Sequence, residues 1–166
     1  MQAKKTKSYS RSAFTLIELL VATFIIGISG FFGVASYQAF TRGARLDAQS
    51  QAFVSVVEQA KVRARSNDKG GCSTMLRYYI TINSPQTYQF KALCTDSSSR
   101  TITTKNIPDT ESITISDYTV SPLLFNRLQM SVTESCVVFE DSQTSNCRKI
   151  SIDSSGNTQI SKECSC

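Results

Sequence analysis

Phe14-Thr15-Leu16-Ile17-Glu18-Leu19-Leu20-Val21-Ala22-Thr23-Phe24-Ile25-Ile26-Gly27-Ile28 is an apolar run that holds a single acid and continues to Ala35. About 22 residues at ~1.5 Å each make a helix of ~33 Å, enough to cross a bilayer core. The run exceeds the ~7–15-residue apolar core of an ordinary secretory signal. A carboxylate in lipid costs about 2.5–3.5 kcal/mol at mid-bilayer, so a residue such as Glu18 is expected to be functional and partnered. The run contains no basic residue. The partner is therefore expected from processing of the chain or from another molecule.

Upstream, Lys4, Lys5, Lys7 and Arg11 form a basic leader without acids. Its charge favours the cytoplasmic side and sends the rest of the chain outward. The whole chain has 166 residues, 18 Lys and Arg, 13 Asp and Glu, and a net charge of +5. Without the leader, 14 Lys and Arg remain against 13 Asp and Glu. The basic balance thus belongs to the leader and is poor support for a nucleic-acid partner.

Downstream, the helical signal passes the membrane edge. Apolar residues recur at Phe40, Leu46, Phe53, Val57, Ala60 and Ala64, mostly three, four or seven apart, between polar positions such as Arg42, Arg45 and Asp47. That spacing predicts one face of an amphipathic helix. The stop signal is Asn67-Asp68-Lys69-Gly70-Gly71, with Arg63 and Arg65 in the last turn. One helix from Phe14 to about Ser66 is predicted, ~80 Å long. Gly27, Gly30 and Gly33 recur within its apolar half. They suit either close helix packing or a segment able to unwind when helices bundle.

After Gly71 the texture is β. Met75–Asn83 and Thr87–Leu93 flank Ser84-Pro85-Gln86 and predict a hairpin. Further strands are predicted over Thr101–Ile107, Ser112–Val120, Gln129–Phe139, Lys149–Asp153 and Thr158–Ser161, the last after the turn Ser154–Asn157. Ser97–Arg100 and Glu140–Asn146 read as exposed loops. Tyr78, Tyr79, Tyr88, Phe90, Tyr118, Phe125 and Phe139 read as sheet core or surface. Arg63, Arg65, Lys69, Arg148 and Lys149 read as solvated cations. The helix face Phe53/Val57/Ala60/Ala64 is expected to complete the core of this small domain.

Six cysteines, Cys72, Cys94, Cys136, Cys147, Cys164 and Cys166, all follow the membrane run. An even number in an exported region predicts disulfides, but six cysteines allow 15 pairings. With no histidine and no C-x-x-C pair, neither a metal site nor a cofactor is expected. The chain has no G-x-S-x-G motif, and Glu140 and Asp141 are adjacent rather than opposed, so no enzyme activity is expected.

The segment Ala13-Phe14-Thr15-Leu16-Ile17-Glu18-Leu19-Leu20-Val21, with the basic leader and long apolar run around it, resembles the prepilin processing motif. That motif opens type IV pilins and the pseudopilins of type II secretion. The resemblance spans roughly residues 4–36. It implies cleavage between Ala13 and Phe14 by a membrane prepilin peptidase and N-methylation of Phe14. Gly is the usual residue before the cut; here it is Ala13. Val137-Val138-Phe139 and the stretch Lys149–Asn157 are loosely similar to minor pseudopilins of the GspH/FimT group. The implied fold is α+β, a pilin-like lollipop whose long N-terminal helix, transmembrane in its first half, packs on a C-terminal antiparallel β-sheet head.

The expected organisation is a leader over 1–13, a membrane and filament-core helix over 14–36, an amphipathic helix over 37–69 and a β head over 70–166. Implied partners are other copies or related pilins, the prepilin peptidase, an assembly platform and, before assembly, the inner membrane. The head would face outward from the cytoplasmic membrane and later stand on a cell-surface or periplasmic filament. In that setting Glu18 would pair with the Phe14 amine of a neighbour and set register. A tethered binding domain that never polymerises, and an enzyme released by signal peptidase after Gly33-Val34-Ala35, are disfavoured by Glu18, the leader and the length of the run.

Overall fold

The computed structural model of the chain describes residues 14–108, 112–126, 132 and 134–166, apart from the side chains of residues 30–35. The leader, residues 1–13, lies outside the described residues, as do Ala13 and the side-chain surroundings of Gly30 and Gly33. One helix, α1, runs from Leu16 to Arg65. The chain divides into two units, one ending at Phe40 and one beginning at Thr41.

The helix ends by a specific backbone device. Asn67 takes φ +57°. The Asp68 amide then returns to Arg63 O at 3.2 Å and the Ser66 amide to Val62 O at 2.9 Å. This satisfies carbonyls that the helix leaves unpaired, and asparagine tolerates the left-handed position. Gly70, three residues on, also takes φ +57°. A Cβ there would stand 2.8 Å from Ala92 Cβ and 3.0 Å from the Tyr78 ring, so both backbone sign and space demand glycine. The Tyr78 hydroxyl donates to Asp68 O at 2.7 Å and closes the exit.

Eight strands follow: β1 (Met75–Ser84), β2 (Thr87–Cys94), β3 (Ser99–Asn106), β4 (Ile113–Tyr118), β5 (Leu123–Asn126), β6 (Ser135–Asp141), β7 (Asn146–Ile152) and β8 (Thr158–Ser161). They form two four-stranded sheets, ordered β3-β2-β1-β5 and β4-β6-β7-β8. Every strand pair is antiparallel. The predicted hairpin turns at Pro85-Gln86, with Ser84 opposite Thr87. β5 was not expected from the sequence, being only four residues long. The predicted loops are shorter than read: Ser99 and Arg100 open β3, Glu140 and Asp141 close β6, and Asn146 opens β7. Of the strand expected over Gln129–Phe139, the part from Ser135 is found in β6; residues 127–131 and 133 lie outside the described residues.

The core of the second unit joins the helix to both sheets. Leu46, Ser50, Phe53, Val57, Ala60 and Ala64 form a buried helical stripe, with Val56 beside it. Their alternating steps of three and four follow the 3.6-residue period. Ser50 is tolerated there because its hydroxyl donates to Leu46 O at 2.9 Å. Phe40, expected on this face, is 75 % exposed and lies in the first unit. Phe53 meets Tyr88 of β2 edge-on at 5.1 Å and Phe139 of β6 at 5.6 Å, so one ring touches both sheets. Burial pushes the Tyr88 phenol up to about 12. Of the aromatics expected to be structural, Tyr78, Tyr88, Phe90, Phe125 and Phe139 are buried, while Tyr118 is exposed.

Three disulfides pair Cys72 with Cys94, Cys136 with Cys166 and Cys147 with Cys164, at Cα separations of 5.5, 5.8 and 5.2 Å. The first joins the loop after the helix to the end of β2. The other two bind the residues beyond β8 to β6 and β7.

Candidate processing and assembly site

The start of the helix is a reciprocal cap. The Thr15 amide donates to Glu18 Oε2 at 3.3 Å, and the Thr15 hydroxyl donates to the same oxygen at 3.2 Å. In return the Glu18 amide donates to Thr15 Oγ1 at 3.3 Å. Threonine at the cap and glutamate three residues on make a capping box, which satisfies amides left free in the first helical turn. The acid also lies where the helix dipole favours negative charge. Glu18 therefore has a partner within its own chain. The T-x-x-E spacing is present in the sequence, and it satisfies Glu18 locally where a cation was expected.

Around this cap the helix is apolar on every side. Phe14, Leu16, Ile17, Leu19, Leu20, Val21, Phe24, Ile25, Ile26 and Ile28 are all at least 46 % exposed. Among the described residues, none of these side chains is turned to a core of its own. Thr23 hides its polarity by donating its hydroxyl to Leu20 O at 2.9 Å. Gly27 meets no atom within 4 Å of where its Cβ would lie. A contiguous apolar surface of this kind marks a site that lipid or protein covers. Among the described residues no helix is long and apolar enough to cross a membrane, and the side chains of 30–35, inside the predicted span, are not among those residues.

Several other residues singled out in the sequence have structural roles. Arg148 Nε stands 2.6 Å from Asp47 Oδ1, tying β7 to the helix, and Lys149 Nζ is 2.8 Å from Glu163 Oε2. Arg63 is 3.5 Å from Asp68. Asp141 is buried rather than looped out. Burial opposes its charge, but the Ser112 and Thr144 hydroxyls, the Gln143 amide and the charge of Arg42 outweigh burial and hold its carboxyl below the usual range. Thr144 donates at 2.7 Å and the Gln143 amide at 3.1 Å; Ser112 donates as well. The carboxylate thus organises the β6–β7 turn. The β7–β8 turn is organised likewise: Asp153 Oδ1 accepts the Ser155 and Asn157 amides, and Lys61 of the helix donates to Gly156 O at 2.9 Å.

Residues 9–32 match the family model of the prokaryotic N-terminal methylation motif. No curated protein matches the chain. In three dimensions the chain is similar to the minor pseudopilin EpsH from the Type 2 Secretion System of Vibrio cholerae. The likeness has a TM-score of 0.57 at 9 % identity, over 70 % of this chain and 96 % of that one. The chain thus carries a prokaryotic N-terminal methylation motif at the start of a long helix and shares its α+β fold of helix and antiparallel sheets with that minor pseudopilin.

Proposed function

We propose that this chain is a minor pilin or pseudopilin, a structural subunit of a type IV pilus-like filament. The observation that carries this reading is the methylation motif over residues 9–32, set on a stretch of helix whose apolar side chains from Leu16 to Ile28 are exposed. In this reading residues 1–13 are the leader. Prepilin peptidase cuts between Ala13 and Phe14 and methylates the new Phe14 amine. The helix over 14–36 holds the precursor in the inner membrane, and an assembly platform then packs it among other pilins. The amphipathic helix over 37–69 supports the head over 70–166, which stands outward on a surface or periplasmic filament. The likeness to EpsH supports the secretion pseudopilus as the particular assembly.

Glu18 then has two tasks in sequence. Its contacts with Thr15 involve only residues beyond the cut and so survive processing. In the filament its carboxylate meets the Phe14 amine of a neighbour. An unpaired buried charge costs several kcal/mol, so the pairing selects register more than it adds stability. Mass spectrometry of the mature chain should find N-methyl-Phe14. Glu18→Ala should leave membrane insertion intact but reduce filament incorporation. An intact leader, a chain beginning near Ser36, or normal incorporation of the variant would each refute the part of the reading it addresses.

A further inference from the structure

Charge is divided unequally between the two sheets. The strands of the first sheet, β3-β2-β1-β5, hold Arg77, Lys91, Arg100 and Lys105 and no acid. The second sheet holds Asp117, Glu140 and Asp141, and both of its cations, Arg148 and Lys149, are ion-paired. Among the described residues no salt bridge reaches the four cations of the first sheet. Arg77 Nε is buried and has no hydrogen-bond partner among those residues.

Register sorts the four into two roles. Arg100 lies opposite Ala92 and Lys105 opposite Tyr88, both core positions. Charges on the inner side of an edge strand discourage pairing with another edge, and this suffices to explain them. Arg77 and Lys91 lie on the other side, the sheet's outer face. Tyr79 stands between Lys91 and Leu124, and Lys91 faces Thr101. The next row is Thr81, Gln89 and Thr104. Arg77 and Lys91 are diagonal neighbours, about 7–8 Å apart at the backbone. Gln89 Oε1 accepts from Asn83 Nδ2 at 3.0 Å, which orients its amide.

We propose that the outer face of the β3-β2-β1-β5 sheet binds an acidic polysaccharide whose carboxylates are sparsely spaced. The two cations would take carboxylates, Tyr79 would pack on a sugar face, and the hydroxyl and amide row would meet sugar hydroxyls. The balance of groups selects this class. A nucleic acid carries a charge on every nucleotide and calls for matching cations, and its single strands call for several stacking aromatics. This face has two cations and one tyrosine among more numerous neutral hydrogen-bonding side chains, which include Thr81, Gln89, Thr101, Thr104 and Asn126.

The test uses the full-length chain in detergent with three probes: hyaluronate, neutral dextran and a mixed-sequence single-stranded oligonucleotide. Hyaluronate should bind and weaken with salt, with dextran at least about tenfold weaker. Lys91→Glu should weaken hyaluronate by about tenfold or more without lowering the melting temperature. Thr104→Glu, a change at an exposed position, should do the same and serves if Lys91→Glu fails to fold. Hyaluronate binding no better than dextran, or unaffected by a folded variant, would overturn the proposal. So would tighter binding of the oligonucleotide.

Discussion

Phe53→Ala should be the most damaging single truncation in the second unit. The ring is fully buried and touches Tyr88 on one sheet and Phe139 on the other. Removing a buried phenylalanine side chain costs about 3–5 kcal/mol through lost transfer energy and the cavity left behind. Two edge-on aromatic contacts of ~0.5–1.5 kcal/mol each place this site in the upper part of that range. The site cannot collapse easily, because the helix and both sheets hold its walls apart. The loss should therefore lie near 4–5 kcal/mol, a large part of the ~5–15 kcal/mol that stabilises a typical domain. For a unit of this size that corresponds to a fall in melting temperature of roughly 10–20 °C. Thermal unfolding of the full chain in detergent, with disulfides intact and followed by near-UV circular dichroism, measures it. Val62→Ala, at a position 58 % exposed, is the control and should shift the midpoint by no more than a degree or two. A Phe53→Ala loss below ~1.5 kcal/mol would refute the idea that this ring joins the three layers.

Asp141→Asn should change the acid limb of the stability curve. The native carboxyl is held below its unfolded value near 3.9, so its contribution is complete above that value and is lost as pH falls through the native one. The variant should be about 1–3 kcal/mol less stable at pH 7 and lose less between about pH 5 and pH 2; an unchanged acid slope in urea titrations would contradict this. Gly70→Ala should cost about 1–3 kcal/mol by denaturant unfolding, since it meets both a positive φ and a 2.8 Å contact. Replacing Cys72 and Cys94 together by serine opens a loop with a sequence separation of 22 and should cost about 3 kcal/mol, read as a lower urea midpoint.

The helix was readable almost to the residue because two signals overlapped. An apolar run and a 3.6-residue stripe meet without an intervening breaker, and Asn67 to Gly71 marks the end. Most strands were readable from alternation, as in β2, where Tyr88, Phe90, Ala92 and Cys94 point inward. β5 escaped because four residues after a proline hold too little periodicity to distinguish strand from loop. Division into two sheets escaped because pairing is long-range: β5 joins β1 across the intervening β2, β3 and β4. Glu140 and Asp141 looked like loop residues by polarity, yet Asp141 is buried because Ser112 and Thr144, distant or hidden in a turn, supply its hydrogen bonds. At the helix start the residues were readable and their local arrangement was not. A buried-charge argument calls for a cation opposite Glu18, whereas a neutral threonine three residues before it supplies the hydrogen bonds.

The three disulfides also set how far the head can lengthen under load. Consider tension applied between α1 and Cys166. The Cys72–Cys94 bridge short-circuits a separation of 22 residues and the Cys136–Cys166 bridge one of 30, with Cys147–Cys164 nested inside the latter. At ~3.3–3.6 Å per extended residue, these loops withhold about 180 Å of contour from the pulling force. The β1–β2 hairpin and the β7–β8 pair lie within them. The chain between Cys94 and Cys136, carrying β3, β4 and β5, is left as the segment free to pay out. Oxidised, the head is thus a short tether with a built-in stop; reduced, the same fold would lengthen much further before its covalent limit.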